Sequence, residues 1–371
     1  MVATATAAAG STGSYPVPAQ QGNGGATVPF FYGSNWYVEK FATDTYQLTT
    51  TTQEFVHNIN PGGFLRGVRL EVRSTGGVGG TMTADAPWNV FQNITLENID
   101  GAPILFPMNG FAYYVSQALY RPWLGSPATR FDYVNGPNPS LSLFIQPEIR
   151  HTACVLANTD ARALYRIRFT VNTFANVITS GGTAPTLTIT SYMEAWAQPD
   201  DKDLHGNMIE GLPVGLNLAL VRRHQIFTLN TAGAGNQFQL SNTGNELRGM
   251  LFIVRDSNNA RQDYLSDPVR VRLDNRSMGT FSPNEIFNQM ADFYGDLSSG
   301  AYNRPTGVYM WPRFYNPGVM IGQAWEQTTN ATYLLYETNT LSTAANLPGT
   351  VEVITDEVTP VGTVPAELES I

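Results

Sequence analysis

Apolar and polar residues alternate along this chain in short runs broken by Gly, Asn, Pro and Asp, and a period of two is the pattern of half-buried β-strands. In the first half the pattern predicts strands over 45–52, 65–73, 90–97, 141–147, 163–172 and 186–197. In the second it predicts them over 225–230, 236–240, 247–255, 268–274, 307–314 and 332–339. Two stretches keep a helical period instead. Over 283–294, Ser282 can cap the start, Pro283 suits the first helical position and Glu285 completes a capping box. Ile286, Met290 and Phe293 then share a face, and Gly295 can end the helix. Over 109–120, Asn109 is the cap, Phe111, Val115 and Leu119 form the apolar stripe, and Pro122 stops it.

The pattern occurs twice. Leu65-Arg66-Gly67-Val68-Arg69-Leu70-Glu71-Val72-Arg73 returns as Leu247-Arg248-Gly249-Met250-Leu251-Phe252-Ile253-Val254-Arg255, with five identities at the same spacing. Val68, Leu70 and Val72 occupy one side of the alternation, and Met250, Phe252 and Val254 take the same places. Leu96 and Asn98 answer Leu273 and Asn275, the two helical stretches follow, and 143–147 answers 308–312. Four matches in one order are the trace of two diverged copies of a domain.

This order implies an organisation. Residues 1–35, rich in Ala, Gly, Thr, Ser and Pro, are expected to form an arm that is disordered or ordered by a partner. A first domain over 36–200, a polar, turn-rich linker over 201–214 and a second domain over 215–355 follow, and 356–371 reads as an acidic tail. About 150 residues of strands with one embedded helix suit an eight-stranded sandwich. Periodicity alone reaches two β-sandwiches in tandem.

Composition narrows the function. Charged residues make up only 14% of the 371, against a usual figure of about 25%, so much of the surface is expected to be neutral-polar or covered by other subunits. The net charge of −9 argues against a protein that wraps nucleic acid. Nineteen arginines against two lysines, Lys40 and Lys202, suit planar interface contacts, and suit a GC-rich genome equally well. The opening MVATATAAAGSTGS lacks the basic start and apolar core of a secretory signal, and no run approaches the roughly 20 apolar residues of a membrane span.

No catalytic constellation stands out: there is no Gly-x-Ser-x-Gly, no phosphate loop ending in Lys and no His-Glu-x-x-His. His57, His151, His205 and His224 are scattered. His151 and Cys154 have a spacing that two metal ligands can use, yet no second pair lies near, and a core cysteine is the expectation. Asp200, Asp201 and Asp203 offer oxygens to calcium in principle and are expected to be solvated. Thr49–Thr52 reads as exposed strand, and Ser74–Gly80 as a flexible turn. Trp196 and Trp311 fall in strand patterns and are expected in the core. Tyr113, Tyr114 and Tyr120 fall on the first helix, and Trp36, Trp88, Trp123 and Trp325 lie nearer turns, where they are candidate interface anchors. No enzyme activity, metal or cofactor is expected.

Several stretches resemble the double jelly-roll major capsid proteins, most of all those of tectiviruses, tailless bacterial viruses with an internal membrane. Residues 138–149 (NPSLSLFIQPEI) resemble the strand after the helix of that family's first jelly roll. Residues 165–173 (YRIRFTVNT) are similar to its next strand, and 189–196 (ITSYMEAW) to its closing strand, ahead of Leu212-Pro213-Val214-Gly215 in the linker. Residues 330–340 (NATYLLYETNT) resemble the last strand of the second jelly roll. The resemblance spans roughly 40–355 at low identity. It implies an all-β chain of two tandem eight-stranded jelly rolls, each with one short helix, and a homotrimer of nearly hexagonal outline. It further implies contacts with neighbouring capsomers, with penton or minor capsid proteins and with an internal membrane, all within the virion. Residues 1–35 depart from it, being too poor in charge and too rich in Gly and Pro for the amphipathic helix with which family members often begin. Two other readings make the chain a two-domain carbohydrate-binding or glycan-cleaving protein, or a minor capsid or spike protein of the same fold.

Overall fold

The computed structural model describes residues 27–120, 134–149, 154–203, 205–213, 218–240, 244–294, 304–312, 326–328 and 330–360. The first half forms β1 (Trp36–Gln47), β2 (Gln53–Asn58), β3 (Phe64–Thr75), β4 (Phe91–Glu97), β5 (Pro103–Met108), β6 (Leu141–Ile145), β7 (Arg166–Val171) and β8 (Thr186–Trp196). The second forms β9 (Leu218–Leu229), β10 (Gly235–Leu240), β11 (Glu246–Arg255), β12 (Leu265–Leu273), β13 (Arg276–Phe281), β14 (Val308–Pro312), β15 (Leu334–Thr340) and β16 (Gly349–Pro360). Helix α1 (Gly110–Tyr120) lies between β5 and β6, and α2 (Pro283–Tyr294) between β13 and β14. Both carry their expected caps: Asn109 Oδ1 accepts from the Ala112 amide at 2.7 Å and Ser282 Oγ from the Glu285 amide at 3.1 Å. Phe111, Val115 and Leu119 of α1 are buried, as are Ile286 and Met290 of α2.

The sheet order repeats with the sequence. In the first half the sheets run β1-β8-β3-β6 and β2-β7-β4-β5; in the second, β9-β16-β11-β14 and β10-β15-β12-β13. Adding eight to every strand of the first order gives the second. Eight strands in two facing Greek-key sheets are a jelly roll, so the chain is two jelly rolls in tandem, with α1 and α2 at the same point of each and single-turn helices at Phe30–Gly33 and Phe174–Val177 in the first half. The two are continuous, because β5 pairs in parallel with β9, Leu105 opposite Arg222, and fuses a sheet of each half into one. A single set of buried side chains runs through both.

Alternation sets the inner faces. Ile167, Phe169 and Val171 of β7 point inward, as do Val68, Leu70 and Val72 of β3 and their counterparts Met250, Phe252 and Val254 of β11. Each such side chain contributes about 1.5–3 kcal/mol on leaving water. The copies diverge on the outer face, where Arg69 and Glu71 of β3 are replaced in β11 by Leu251 and Ile253, both fully buried.

Several expected boundaries move. The stretch expected as a strand over 45–52 is instead the end of β1 and a turn, closed by Tyr46 Oη and the Thr49 hydroxyl on the Thr51 carbonyl at 2.8 and 3.1 Å. Residues 27–35, placed in the arm, are ordered: Phe30 is buried against Phe64 with ring centroids 5.1 Å apart, and Val28 bridges Ile209. The tail expected from 356 begins inside β16, where Asp356 and Glu357 are buried. Residues 1–26 and 361–371 lie outside the described residues.

Candidate assembly surface

The repeated Leu-Arg-Gly encodes a β-bulge. In β3 the register against β8 passes from Gly67 opposite Glu194 to Leu65 opposite Ala195, skipping Arg66. In β11 it passes from Gly249 opposite Asp356 to Leu247 opposite Glu357, skipping Arg248. Each bulged arginine turns to a carboxylate opposite the glycine: Arg66 Nη1 lies 3.7 Å from Glu194, and Arg248 Nη1 donates to Asp356 at 2.9 Å. Glycine follows the bulge in β3 because a β-carbon at 67 would stand 2.5 Å from the Ile145 carbonyl oxygen. Arg66 also donates to the buried Glu148 at 2.8 Å and lies 5.2 Å from the ring centres of Trp36 and Trp196. Trp196 Nε1 holds the other Glu148 oxygen at 2.8 Å.

Charged side chains fill the seam between the jelly rolls. Asp356, fully buried, accepts from Arg222 Nε at 3.0 Å and Arg248 Nη1 at 2.9 Å, and such a cluster is tolerable only with its carboxylate oxygens bonded. Asp85, just before β4, takes Arg255 Nη1 at 2.6 Å and Arg261 Nε at 2.8 Å from the second jelly roll. The same two guanidinium groups lie 5.7 and 4.6 Å from the ring of Phe111 on α1, and Arg223 lies 4.9 Å from Phe106 of β5. Glu352 of β16 takes Arg255 Nε, His224 at 3.0 Å and Asn109 Nδ2 at 3.4 Å. Burial pushes the Glu352 carboxyl up, but the hydrogen bonds and charges of His224 and Arg255 outweigh it and hold it below its ordinary value.

Outside the seam, among the described residues, β1 and β13 each stand at the edge of their sheet. β1 is twelve residues long with none fully buried; Trp36 is 53% and Val38 47% exposed. A long edge with exposed apolar side chains is a template for pairing with another chain.

The residues with candidate chemistry are dispersed. Among the described residues, no group of three His, Cys, Asp or Glu converges as metal ligands would. His57 pairs with Asp44 at 2.7 Å, and Cys154 is buried, its thiol pushed up to about 12 by desolvation; His151 lies outside the described residues. Asp203 closes the linker on itself, accepting from the Asn207 amide at 2.8 Å and the His205 amide at 2.9 Å. Ser74–Gly80 is pinned rather than loose: Gly77 N donates to Asn138 Oδ1 at 2.8 Å and Ser74 Oγ to the Pro139 carbonyl at 2.6 Å. Trp311 is buried as expected and Trp196 half-buried. Trp88, a candidate anchor, is instead buried and stacked on Tyr114 at 4.1 Å; Tyr113 is fully buried. Trp123, Trp325 and the side chain of Tyr120 lie outside the described residues. Sequence reasoning missed the seam residues Asp85, Arg255, Arg261 and Glu352, whose partners are too distant in sequence to signal each other.

Two jelly rolls fused edge to edge define the class: this is a double jelly-roll fold. A chain in the atomic structure of Sulfolobus Turreted Icosahedral Virus matches with a TM-score of 0.60 at 11% identity, over 90% of this chain and 95% of that one. The PBCV-1 virus capsid chain matches at 0.57 and 12%, over 88% and 94%, and the Faustovirus major capsid protein at 0.50 and 10%, over 95% and 93%. These neighbours are double jelly-roll major capsid proteins. No protein-family model matches the chain, and no curated protein matches it by sequence. At these identities the shared property is the fold, over about nine tenths of the chain.

Proposed function

We propose that this chain is the major capsid protein of a tectivirus-like double jelly-roll virus. Three copies form a pseudo-hexagonal capsomer, and capsomers assembled in the host cytoplasm tile an icosahedral shell. The carrying observation is that the match to capsid chains leaves little unpaired on either side: 90% of this chain and 95% of its neighbour for the turreted virus. A domain borrowed for another purpose would cover one part only. The work of such a protein is mechanical, and no reaction step is assigned to it. Neighbouring capsomers are its partners, together with penton or minor capsid proteins and an internal membrane. The glycan-binding reading needs exposed aromatic rings beside paired acids, whereas Trp88, Trp311 and Tyr113 are buried and the exposed Trp36 ring lies against the Arg66 guanidinium.

Native mass of the purified full-length chain, with particle imaging of the same sample, tests this. A trimer with a six-sided outline supports the capsid reading; a monomer that binds sugars on an array overturns it. Its abundance among virion proteins separates the major shell protein from a spike or minor component.

A further inference from the structure

The internal seam has a counterpart on the outside of the same chain that no described residue covers. Glu194 and Asp356, each opposite a bulge glycine, align β8 with β16, and their partners Val38 and Arg222 align β1 with β9. In that alignment Trp36, opposite Trp196, matches Leu220, opposite Val358. Leu96 and Leu273 align β4 with β12, so Leu105 of β5 matches Arg276 of β13. Inside the chain, β5 covers β9: Leu220 is fully buried and Arg222 is 2% exposed. Their equivalents Trp36 and Val38 are among the most exposed apolar side chains described, and the strand equivalent to β5, β13, is likewise an edge among the described residues.

We propose that β13 of one copy pairs in parallel with β1 of the next, Arg276 opposite Val38, repeating between chains the junction that β5 and β9 make within one. The inference rests on the three-chain capsomer proposed above and assigns its contact. A junction between two different edges is heterologous and closes only if its rotation returns to the start. Alternating an internal junction with an external copy of it lets three chains present six like domains around one axis. The chemistry at the two junctions differs in a way that keeps them distinct. Internally Arg223 rests on Phe106, whereas the equivalent pair between chains is the exposed acid Glu39 and the exposed hydroxyl of Ser277. Arg276 is already oriented by an ion pair with Glu326. Beside it opens a cleft of about 430 Å³, lined in part by Asp274, Asn275, Gln327 and Asn330, on the side where an incoming Trp36 would need room.

The test is a cysteine pair, Val38→Cys with Arg276→Cys, in the full-length chain, whose single native cysteine, Cys154, is buried. Neighbouring strands lie about 4.7–4.9 Å apart, within the roughly 4.4–6.8 Å between Cα atoms that a disulfide spans. Mild oxidation is expected to give reducible covalent species of two and three chains and none larger, with neither single variant cross-linking. Native trimers that do not cross-link overturn this junction and leave the capsid reading standing. Ladders beyond three chains overturn the closed ring, and a chain monomeric by native mass removes junction and capsomer together.

Discussion

Asp356 shows how far a single residue can anchor this architecture. Its carboxylate has no exposed surface and holds two arginines, one from β9 and one from the bulge of β11, so three strands meet on it. Removing one member of a buried ionic cluster costs more than the cluster contributes, because the remaining charges stay buried without a partner. Asp356→Ala is therefore expected to lose about 3–5 kcal/mol, read from the urea midpoint by tryptophan fluorescence. Asp356→Asn, which keeps the shape and one acceptor, is expected to lose less. Equal losses would mean that packing rather than charge holds the strand. Gly67 answers to a different force: the space for its missing β-carbon is occupied by the backbone of β6. Gly67→Ala should cost about 1–3 kcal/mol by overpacking, and a neutral result would show that β6 can retreat.

At the scale of elements, the two helices are the most self-contained pieces. Ser282→Ala removes the acceptor of the Glu285 amide and should cost about 0.5–2 kcal/mol in thermal melts. Asn109→Ala should cost more, since Asn109 caps α1 and also reaches Glu352 across the seam. Both helices were legible in the sequence because caps and apolar stripes act within a few residues; their expected stops, Pro122 and Gly295, lie outside the described residues. β3 and β11 were legible through their repeat, although nothing local marks Leu-Arg-Gly as a bulge. β16 was not legible: its run of Thr, Asp and Glu reads as a tail, and its carboxylates become tolerable only because Arg222, Arg248 and Arg255 arrive from other strands. β5 carries Pro103 and Pro107, and β13 follows β12 after only two residues, so neither gives a clean alternating run. Trp36 was legible as a candidate anchor, but its exposure depends on β1 standing at an edge, a property of sheet order.

The whole molecule is bound together by the seam, and the seam carries a pH dependence of known sign. Glu352 sits where β16, β9, β11 and α1 meet, held below its ordinary value of 4.5 by His224 and Arg255 against the opposing effect of burial. A carboxylate whose folded pKa is depressed stabilises the fold fully above its unfolded pKa, and that contribution is lost as pH falls towards the folded pKa, because the unfolded chain binds the proton first. Melting temperature should therefore fall on acidification from about pH 5 towards pH 3, and Glu352→Gln should flatten part of that slope while lowering stability at neutral pH. Because a fused sheet and one core run through both jelly rolls, the loss should appear in a single transition rather than in the second jelly roll alone. Calorimetry of the isolated chain at both pH values decides this. Two separable transitions, with only the later one sensitive to Glu352→Gln, would mean that the jelly rolls melt independently and that the seam contributes orientation without cooperativity.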